Sequence, residues 1–264
     1  MFEFIFDLPL AIAGLAIIGS LCLFATAGLL LVRHRVLPRL RVSSKDSEFS
    51  GTMVQAVMVF YGLAVALIAV SVWQTYSDVS KIVSEEATAL AALYRDAGCY
   101  PEPVRTQLQG ELRDYTDQII HQAWPLQQRG QVPTGGVSLM DDFQKAQSAF
   151  EPSTEGQKIV HAEAFRAYNV LIQARRMRLD AVGTKLPGVL WGVVIIGAFI
   201  GLTTTFFFKV EDVKLHGIQV TLLATFIGLV IFMILALDRP FRGDLGLTAD
   251  PYQLVYDQLM KANP

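Results

Sequence analysis

Residues 49–97 read FSGTMVQAVMVFYGLAVALIAVSVWQTYSDVSKIVSEEATALAALYRDA, and this stretch decides the fold. Its first part, residues 49–77, contains no charged residue and exceeds the roughly 20 apolar residues that a helix needs to cross a bilayer. Its second part is amphipathic, with apolar residues at helical spacing. After residue 62 it contains neither Gly nor Pro, and Gly98 then provides a helix end. The pattern predicts one helix over residues 52–97, about 70 Å long, which must project well out of the membrane.

Three other stretches also lack Asp, Glu, Lys and Arg over the length of a membrane span. They are residues 8–32, 186–208 and 215–237. Over the whole chain only 17% of residues are charged and 52% are hydrophobic, whereas about 25% charged residues are typical of a soluble domain. The four stretches predict an all-α, multi-pass membrane protein and exclude a cytosolic enzyme.

The spans divide the chain into four regions. We expect a first transmembrane pair in residues 1–77 (spans about 8–32 and 51–77), a helical extramembrane domain in 78–185, a second transmembrane pair in 186–237 (spans about 186–208 and 215–237) and a C-terminal tail in 238–264. Acidic Glu3 and Asp7 precede the first span where a signal peptide would carry basic residues, so we expect a retained anchor. Thr154 and Gln157 have the spacing of a capping box at the start of the last helix of the domain.

The basic residues leave the orientation open. The loop over residues 33–50 carries five of them, namely Arg33, Arg35, Arg39, Arg41 and Lys45. The positive-inside rule places such a loop in the cytoplasm and the 78–185 domain outside. Basic residues flank the membrane on the other side too: Lys81, Arg175, Arg176, Arg178, Lys185, Arg239 and Arg242. The charges therefore favour an external domain only slightly.

Motifs for catalysis or metal binding do not occur in the sequence. It has no phosphate-binding loop, no zinc-protease motif and no nucleophile elbow. The histidines lack ligand spacing, and Cys22 and Cys99 lie in different environments. A net charge of −2 provides no basic field for nucleic acid. We therefore expect no catalytic site, no metal, no cofactor and no nucleic-acid partner, and we interpret the pairs Glu85-Glu86 and Asp141-Asp142 as solvated helix faces.

One stripe of the second span has two interpretations. Gln55, Val59 and Leu63 follow at i, i+4 and i+8, and Ala66 or Leu67 extends them. The stripe is either a helix-packing seam or, around an oligomer axis, an apolar constriction of a pore. No span contains a charged residue at its centre, so the sequence lacks the usual groups of a proton relay or a charge-binding transporter.

A second candidate segment follows the fourth span, where Asp238, Arg239, Pro240 and Phe241 are consecutive. A carboxylate beside an arginine at the membrane edge can form a partly desolvated ion pair, and a proline stops the helix. We interpret the segment as a span terminator with interfacial anchors, with a gate or ion-access element as the alternative.

Several of these motifs resemble a known family. The second span has Gly62 eleven residues before Trp73, with Tyr76 three residues after that. With Asp7-Leu8-Pro9, Leu93 to Ala97 and Leu237 to Phe241, these motifs resemble the bacterial bestrophin-like membrane proteins over nearly the full length. The second span and the tail also resemble the bestrophin anion channels.

The resemblance implies a function and an assembly. It implies a homo-oligomer, a pentamer by analogy, that conducts small inorganic anions across the lipid bilayer of the bacterial inner membrane. Gln55, Val59 and Leu63 match the positions that line the bestrophin pore, although bestrophins have bulkier residues there. The acidic calcium-binding run after Phe241 is missing, so no calcium gating is expected. The resemblance also implies a cytosolic 78–185 domain, opposite to the charge pattern. The alternative function is a membrane sensor or scaffold that signals through its helical domain without conducting.

Overall fold

The structure is a computed structural model that describes residues 9–40, 44–208 and 210–261, and side chains within these ranges except residues 40 and 44–50. In chain order the helices are α1 (Leu10–Leu31), α2 (Leu37–Leu40), α3 (Ser44–Ala97), α4 (Val104–Gln118), α5 (Trp124–Gln128), α6 (Val137–Ala149), α7 (Glu155–Ala181), α8 (Gly188–Thr205), α9 (Val213–Leu237) and α10 (Asp250–Val255). Short π-helical turns at Val32–Val36, Ile119–Ala123 and Tyr256–Met260 continue α1, α4 and α10. The described residues include no strand, and the predicted all-α class is confirmed.

Four of the helices have the length and composition of membrane spans, as the sequence predicts. These span candidates cover Leu10–Arg39, Gly51–Ala97, Gly188–Thr205 and Val213–Leu237. The long second helix is also confirmed, and it begins earlier than predicted, at Ser44. The loop predicted over residues 33–50 is wrong for the residues described, because helix continues to Leu40 and resumes at Ser44. Charged residues end an apolar run but are compatible with a helical backbone. The helices therefore extend beyond the apolar spans.

The chain packs as two compact units. The membrane unit comprises Met1–Gln74 and Lys185–Arg239, and the extramembrane unit comprises Thr75–Thr184 and Pro240–Pro264. Helix α3 contributes residues to both units without a break. The C-terminal residues after Arg239 therefore belong to the same unit as the domain between the second and third spans.

Small residues bring helices close together in the membrane unit. A Cβ atom on Gly14 of α1 would lie 3.2 Å from the Phe232 ring of α9, and one on Gly228 of α9 would lie 3.1 Å from Ile18 of α1. Lipid tails are as apolar as leucine, so such close van der Waals packing replaces the hydrophobic effect as the source of helix association. Each helix thus contributes a glycine to the contact between α1 and α9.

The extramembrane unit has a conventional apolar core. The second half of α3 packs there with α4, α6 and α7 through side chains that are completely buried, including Leu90, Leu93, Leu108, Leu112, Phe143 and Leu171. The predicted capping box begins α7, where the Thr154 hydroxyl accepts a hydrogen bond from the amide of Gln157. Tyr252 of α10 and Met260, which follows it, are buried in the same core. The C-terminal segment is therefore an integral part of this unit.

Candidate functional site

The stripe predicted on the second span lies on the side of α3 that faces away from its own unit. Val59 is 63% exposed and Leu63 58% exposed, and Gln55 is also exposed. Ile68 and Val72 are buried in the membrane unit. Ile68 follows Val59 by nine positions, and Val72 follows Leu63 by the same interval. Nine positions are two and a half helical turns, so the buried and the exposed residues lie on opposite sides of α3. Within the described residues, the stripe is therefore not a packing seam between helices of one subunit.

Two glycines of α8 set the rotation of α3 that leaves the stripe outside. The Tyr61 ring of α3 occupies the space where a Cβ atom on Gly197 would lie. The Tyr61 hydroxyl donates a hydrogen bond to the backbone oxygen of Val194, at 2.9 Å. One turn along α8, a Cβ atom on Gly201 would lie 2.6 Å from the sulfur of Met58. Because Met58 and Tyr61 are held in this way, the residues opposite them face outward.

The residues predicted to have structural roles in this helix lie in different surroundings. A Cβ atom on Gly62 would meet no atom within 4 Å, and Trp73 is 58% exposed. Their separation of eleven positions corresponds to a net rotation of about 20° about the helix axis, so Gly62 and Trp73 share one side of α3. Tyr76 lies in the extramembrane unit, where its hydroxyl donates a hydrogen bond to the backbone oxygen of Leu245, at 3.0 Å.

Asp238 joins the end of the fourth span to the start of the third. Helix α9 ends at Leu237, and the Asp238 side chain that follows is buried. Its carboxylate accepts hydrogen bonds from the amide of Leu186, at 2.6 Å, and from the indole nitrogen of Trp191, at 3.4 Å. Burial raises the pKa of Asp238 above its ordinary value, and these hydrogen bonds and the adjacent charge of Arg239 offset only part of that rise. The hydrogen bonds to the beginning of α8 are a contact that the sequence does not reveal.

Pro240 and Phe241 begin the C-terminal segment of the extramembrane unit. The backbone oxygen of Pro240 accepts a hydrogen bond from the amide of Leu247, at 2.7 Å, which closes a turn. Phe241 is buried and packs edge-on against Trp124, with ring centroids 5.6 Å apart. The Trp124 indole donates a hydrogen bond to the backbone oxygen of Leu247, at 3.1 Å. These contacts place Pro240 and Phe241 in the packing of the extramembrane unit, and the role of the Asp238 to Phe241 segment as a span terminator stays a prediction.

A buried ion pair, which the sequence analysis missed, lies in the extramembrane unit. Asp141, Asp142 and Glu85 are exposed as predicted, but Glu86 is completely buried, so its interpretation as a solvated residue is wrong. Its carboxylate receives hydrogen bonds from Nε of Arg178 at 2.5 Å and Nη2 of Arg178 at 3.1 Å. Burial is tolerated because a charged partner and further donors replace the lost water.

Two tyrosines complete the shell around this carboxylate. Tyr115 of α4 donates a hydrogen bond to Glu86 at 2.9 Å, and Tyr252 of α10 donates another at 3.1 Å. Burial, reinforced by the charge of Glu86, raises the pKa of Tyr115 and of Tyr252 well above the ordinary value. Both hydroxyls therefore remain protonated donors. Glu86 continues the spacing of Val79, Val83 and Leu90 on the apolar side of α3, and this position is the sequence signal of its burial.

A groove of about 690 Å³ lies between α3 and α7 in the extramembrane unit. From α3 it is lined by Ser80, Lys81, Ser84, Glu85, Thr88, Ala89 and Ala92, and from α7 by Val170, Gln173, Ala174 and Met177. The hydroxyls of Ser84 and Thr88 donate to backbone oxygens one turn earlier in the helix. The α3 wall is therefore polar and charged, and the α7 wall is largely apolar.

Comparison with known proteins assigns the family. The bestrophin-like domain matches residues 21–252, and the chain therefore belongs to the bestrophin-like family. No curated protein matches the sequence. The resemblance drawn from the motifs of the second span and the tail is thus confirmed.

Solved structures share the fold. A variant of a bacterial bestrophin homolog from Klebsiella pneumoniae has a TM-score of 0.68 at 8% sequence identity, covering 94% of this chain and 99% of its own. A second variant of a bacterial bestrophin homolog from this organism has a TM-score of 0.65 at 9% identity, covering 93% and 99%. A crystal structure of a membrane protein has a TM-score of 0.68 at 8% identity, covering 92% and 97%. At these identities the likeness is one of fold.

Proposed function

We propose that this chain forms a homo-oligomeric channel of the bacterial inner membrane that conducts small inorganic anions through an axial pore lined by α3. The observation that carries the proposal is the outward-facing stripe of Gln55, Val59 and Leu63. By family analogy the oligomer is a pentamer. Gly62 and Trp73, which lie on the same side of α3 as Gln55, are proposed to support packing in the assembly, and Tyr76 anchors the helix to the C-terminal segment.

The coverage of the spans supports an assembly around α3. Among the 18 consecutive residues that are most apolar in each span, 11% are buried in α3 and 39% are buried in α9. An exposed leucine or valine is compatible with lipid, but the amide of Gln55 loses its hydrogen bonds to water when it is placed in hydrocarbon. A water-filled axis between subunits gives the Gln55 amide hydrogen-bond partners. The neighbouring subunits also cover the exposed side of α3.

The chemistry of the stripe fits a hydrophobic gate. In a ring of subunits, Val59 and Leu63 form two successive apolar layers, and a narrow apolar constriction closes a pore by dewetting. Gln55 lies one turn before them and offers amide N–H groups to an anion. The membrane-spanning part of α3 has no charged residue on this side. No strong binding site therefore traps an ion as it crosses.

A flux assay on matched variants tests the proposal. The protein is reconstituted into liposomes and chloride efflux is measured for wild type, Leu63→Ala and Leu222→Ala. Leu222 is 64% exposed on α9 and controls for the loss of an exposed leucine in a span. We expect efflux above protein-free liposomes, a several-fold increase for Leu63→Ala and no change for Leu222→Ala. Background efflux for both wild type and Leu63→Ala would overturn the proposal.

A sensor or scaffold is the second candidate function, and the continuity of α3 favours it. Because one helix belongs to both units, a shift of the span is passed directly to the extramembrane core. Electron microscopy of the purified oligomer separates the two candidates. A ring with a hydrated central gap supports conduction, whereas a dimer without a gap supports sensing.

A further inference from the structure

We propose that Arg35 and Arg39, at the end of the first span, bind the phosphate groups of anionic phospholipids. Both residues belong to the membrane unit. The partner is the headgroup of a lipid in the surrounding bilayer, and its binding enriches anionic lipids beside α1. The inference concerns this edge of the membrane unit alone and is therefore independent of the proposed conduction.

The length of α1 places these arginines at the level of the headgroups. Helix α1 has 22 residues, from Leu10 to Leu31, and its length of about 33 Å matches the roughly 30 Å of the hydrocarbon core. Helical backbone continues from there to Arg39. Arg35 and Arg39 follow Leu31 by about one and two turns, so they lie roughly 6 and 12 Å beyond the apolar stretch. The polar headgroup layer begins at this depth, and a long arginine side chain reaches it from either position.

Two sets of contacts hold this helical extension against the membrane unit. Val36 and Leu37 pack against the apolar core of the unit. The Arg33 guanidinium donates hydrogen bonds to the backbone oxygens of Val210, at 3.0 Å, and of Glu211, at 3.3 Å, in the turn between α8 and α9. The extension is therefore kept at the bilayer surface, with the two proposed lipid ligands beside the headgroups.

The charges of these two arginines are not compensated by their own chain. Both side chains are exposed, and neither forms a hydrogen bond or an ion pair with the residues that the structure describes. In the sequence, residues 33–50 contain five basic residues against two acidic ones, Asp46 and Glu48. The excess charge of this edge is therefore positive, which is complementary to a layer of anionic headgroups.

The acidic residues of the neighbouring turn do not neutralise this edge. Asp212 caps α9, where its carboxylate accepts hydrogen bonds from the amides of Lys214 and Leu215. Glu211 is exposed and has no ion-pair partner within the described part of the chain. Residues 209–214 contain two acidic and two basic residues, so the turn adds no net charge.

Exposed apolar residues precede the arginines and suit the acyl chains of the same lipid. Leu30 is 50% exposed and Leu31 is 55% exposed, and Arg35 follows Leu31 by one helical turn. A planar guanidinium can form two parallel hydrogen bonds with a phosphate group. A phospholipid matches both the arginines and the apolar surface, whereas free phosphate matches the arginines alone.

Native mass spectrometry of the purified protein in detergent tests the inference. Apparent affinities are compared for dioleoylphosphatidylglycerol, which is anionic, and dioleoylphosphatidylcholine, which has the same acyl chains and no net charge. The variant is Arg35→Gln with Arg39→Gln. The control is Lys145→Gln with Arg166→Gln, which removes the same charge from two extramembrane side chains that are each 76% exposed.

We expect wild type to bind phosphatidylglycerol several-fold more tightly than phosphatidylcholine. Each basic residue near a bilayer surface changes binding about fivefold, so the double variant should lose roughly 25-fold in affinity for phosphatidylglycerol. The single variants Arg35→Gln and Arg39→Gln should each lose about fivefold, and they give the readout if the double variant is unstable. The control should change by less than about twofold. Arg35→Lys with Arg39→Lys keeps both charges and should retain most of the preference.

Four results would overturn the inference. Wild type could bind the two lipids equally, or the control could lose as much affinity as the double variant. An unchanged preference in the double variant together with a changed oligomer mass would assign the arginines to a contact between subunits. Competition by glycerophosphoglycerol, which lacks acyl chains, at the affinity of the lipid itself would identify a site for free phosphate esters.

Discussion

The two halves of α3 differ in how completely their own chain covers them. In the membrane half, Val65, Ile68 and Val72 are 4–7% exposed, while Leu63 on another side is 58% exposed. In the extramembrane half, Glu86, Leu90 and Leu93 are completely buried. One helix thus passes from a unit that leaves much of it uncovered into a unit with a full core.

The difference follows from the solvent of each half. Apolar residues gain little by leaving lipid for protein, so the membrane half is held by close approach at Gly197 and Gly201 of α8. In water, burial of apolar area drives packing, and the extramembrane core is dense enough to hold a charged pair. The extramembrane half is therefore stabilised within one subunit, whereas the membrane half has a side available for lipid or for other subunits.

The largest expected effect comes from breaking the buried ion pair. Arg178→Ala leaves the Glu86 carboxylate buried without its charged partner, which should lower the free energy of unfolding by about 3–5 kcal/mol. Arg166→Ala is the control, because Arg166 and Glu163 form an exposed pair worth at most about 1 kcal/mol. Thermal unfolding of the detergent-solubilised protein measures both. Equal losses would contradict the assignment of Glu86 and Arg178 to the core.

A smaller effect is expected from the contact that orients the membrane half. Gly197→Ala places a methyl group in the space of the Tyr61 ring and should cost about 1–3 kcal/mol through overpacking. Gly192→Ala is the control on the same helix, since a Cβ atom there meets nothing within 4 Å. Unfolding in increasing dodecyl sulfate compares the two variants. If they were equally stable, the proposed docking of α3 on α8 would be wrong.

The smallest expected effect lies at the edge of the extramembrane core, at His161. Its Nδ1 is 2.8 Å from the hydroxyl of Tyr100, and partial burial lowers the pKa of His161 below its ordinary value. The folded protein therefore binds this proton less readily than the unfolded chain does. The contribution to stability is complete above the ordinary pKa of about 6.5 and is lost as the pH falls through the folded value.

Melting temperatures between pH 7.5 and 5 test this expectation. His161→Gln should make stability less dependent on pH than it is in wild type. His121→Gln serves as the control, because His121 is exposed and pairs with Asp117 one helical turn earlier. If the melting temperature of His161→Gln varied with pH as steeply as that of wild type, other groups would be the cause of the pH dependence.

Much of the fold follows from local features of the sequence. Four charge-free stretches identify the spans because the bilayer imposes their length. The absence of Gly and Pro after Gly62 predicts the long helix, and Thr154 with Gln157 predicts the start of α7. The motifs around Trp73 and Asp238, with those at Asp7 to Pro9 and Leu93 to Ala97, suggest the family, which the match over residues 21–252 confirms.

The tertiary structure alone decided which partners cover these helices and which side of the α3 span stays uncovered. Glu86 is buried because Arg178 and Tyr252 reach it from 92 and 166 residues away, and no local pattern specifies such partners. The outward direction of the stripe depends on the fit of Tyr61 against Gly197. Within a membrane span apolar residues suit lipid and protein equally, so hydrophobic periodicity locates the span, and only packing determines which side of it remains free.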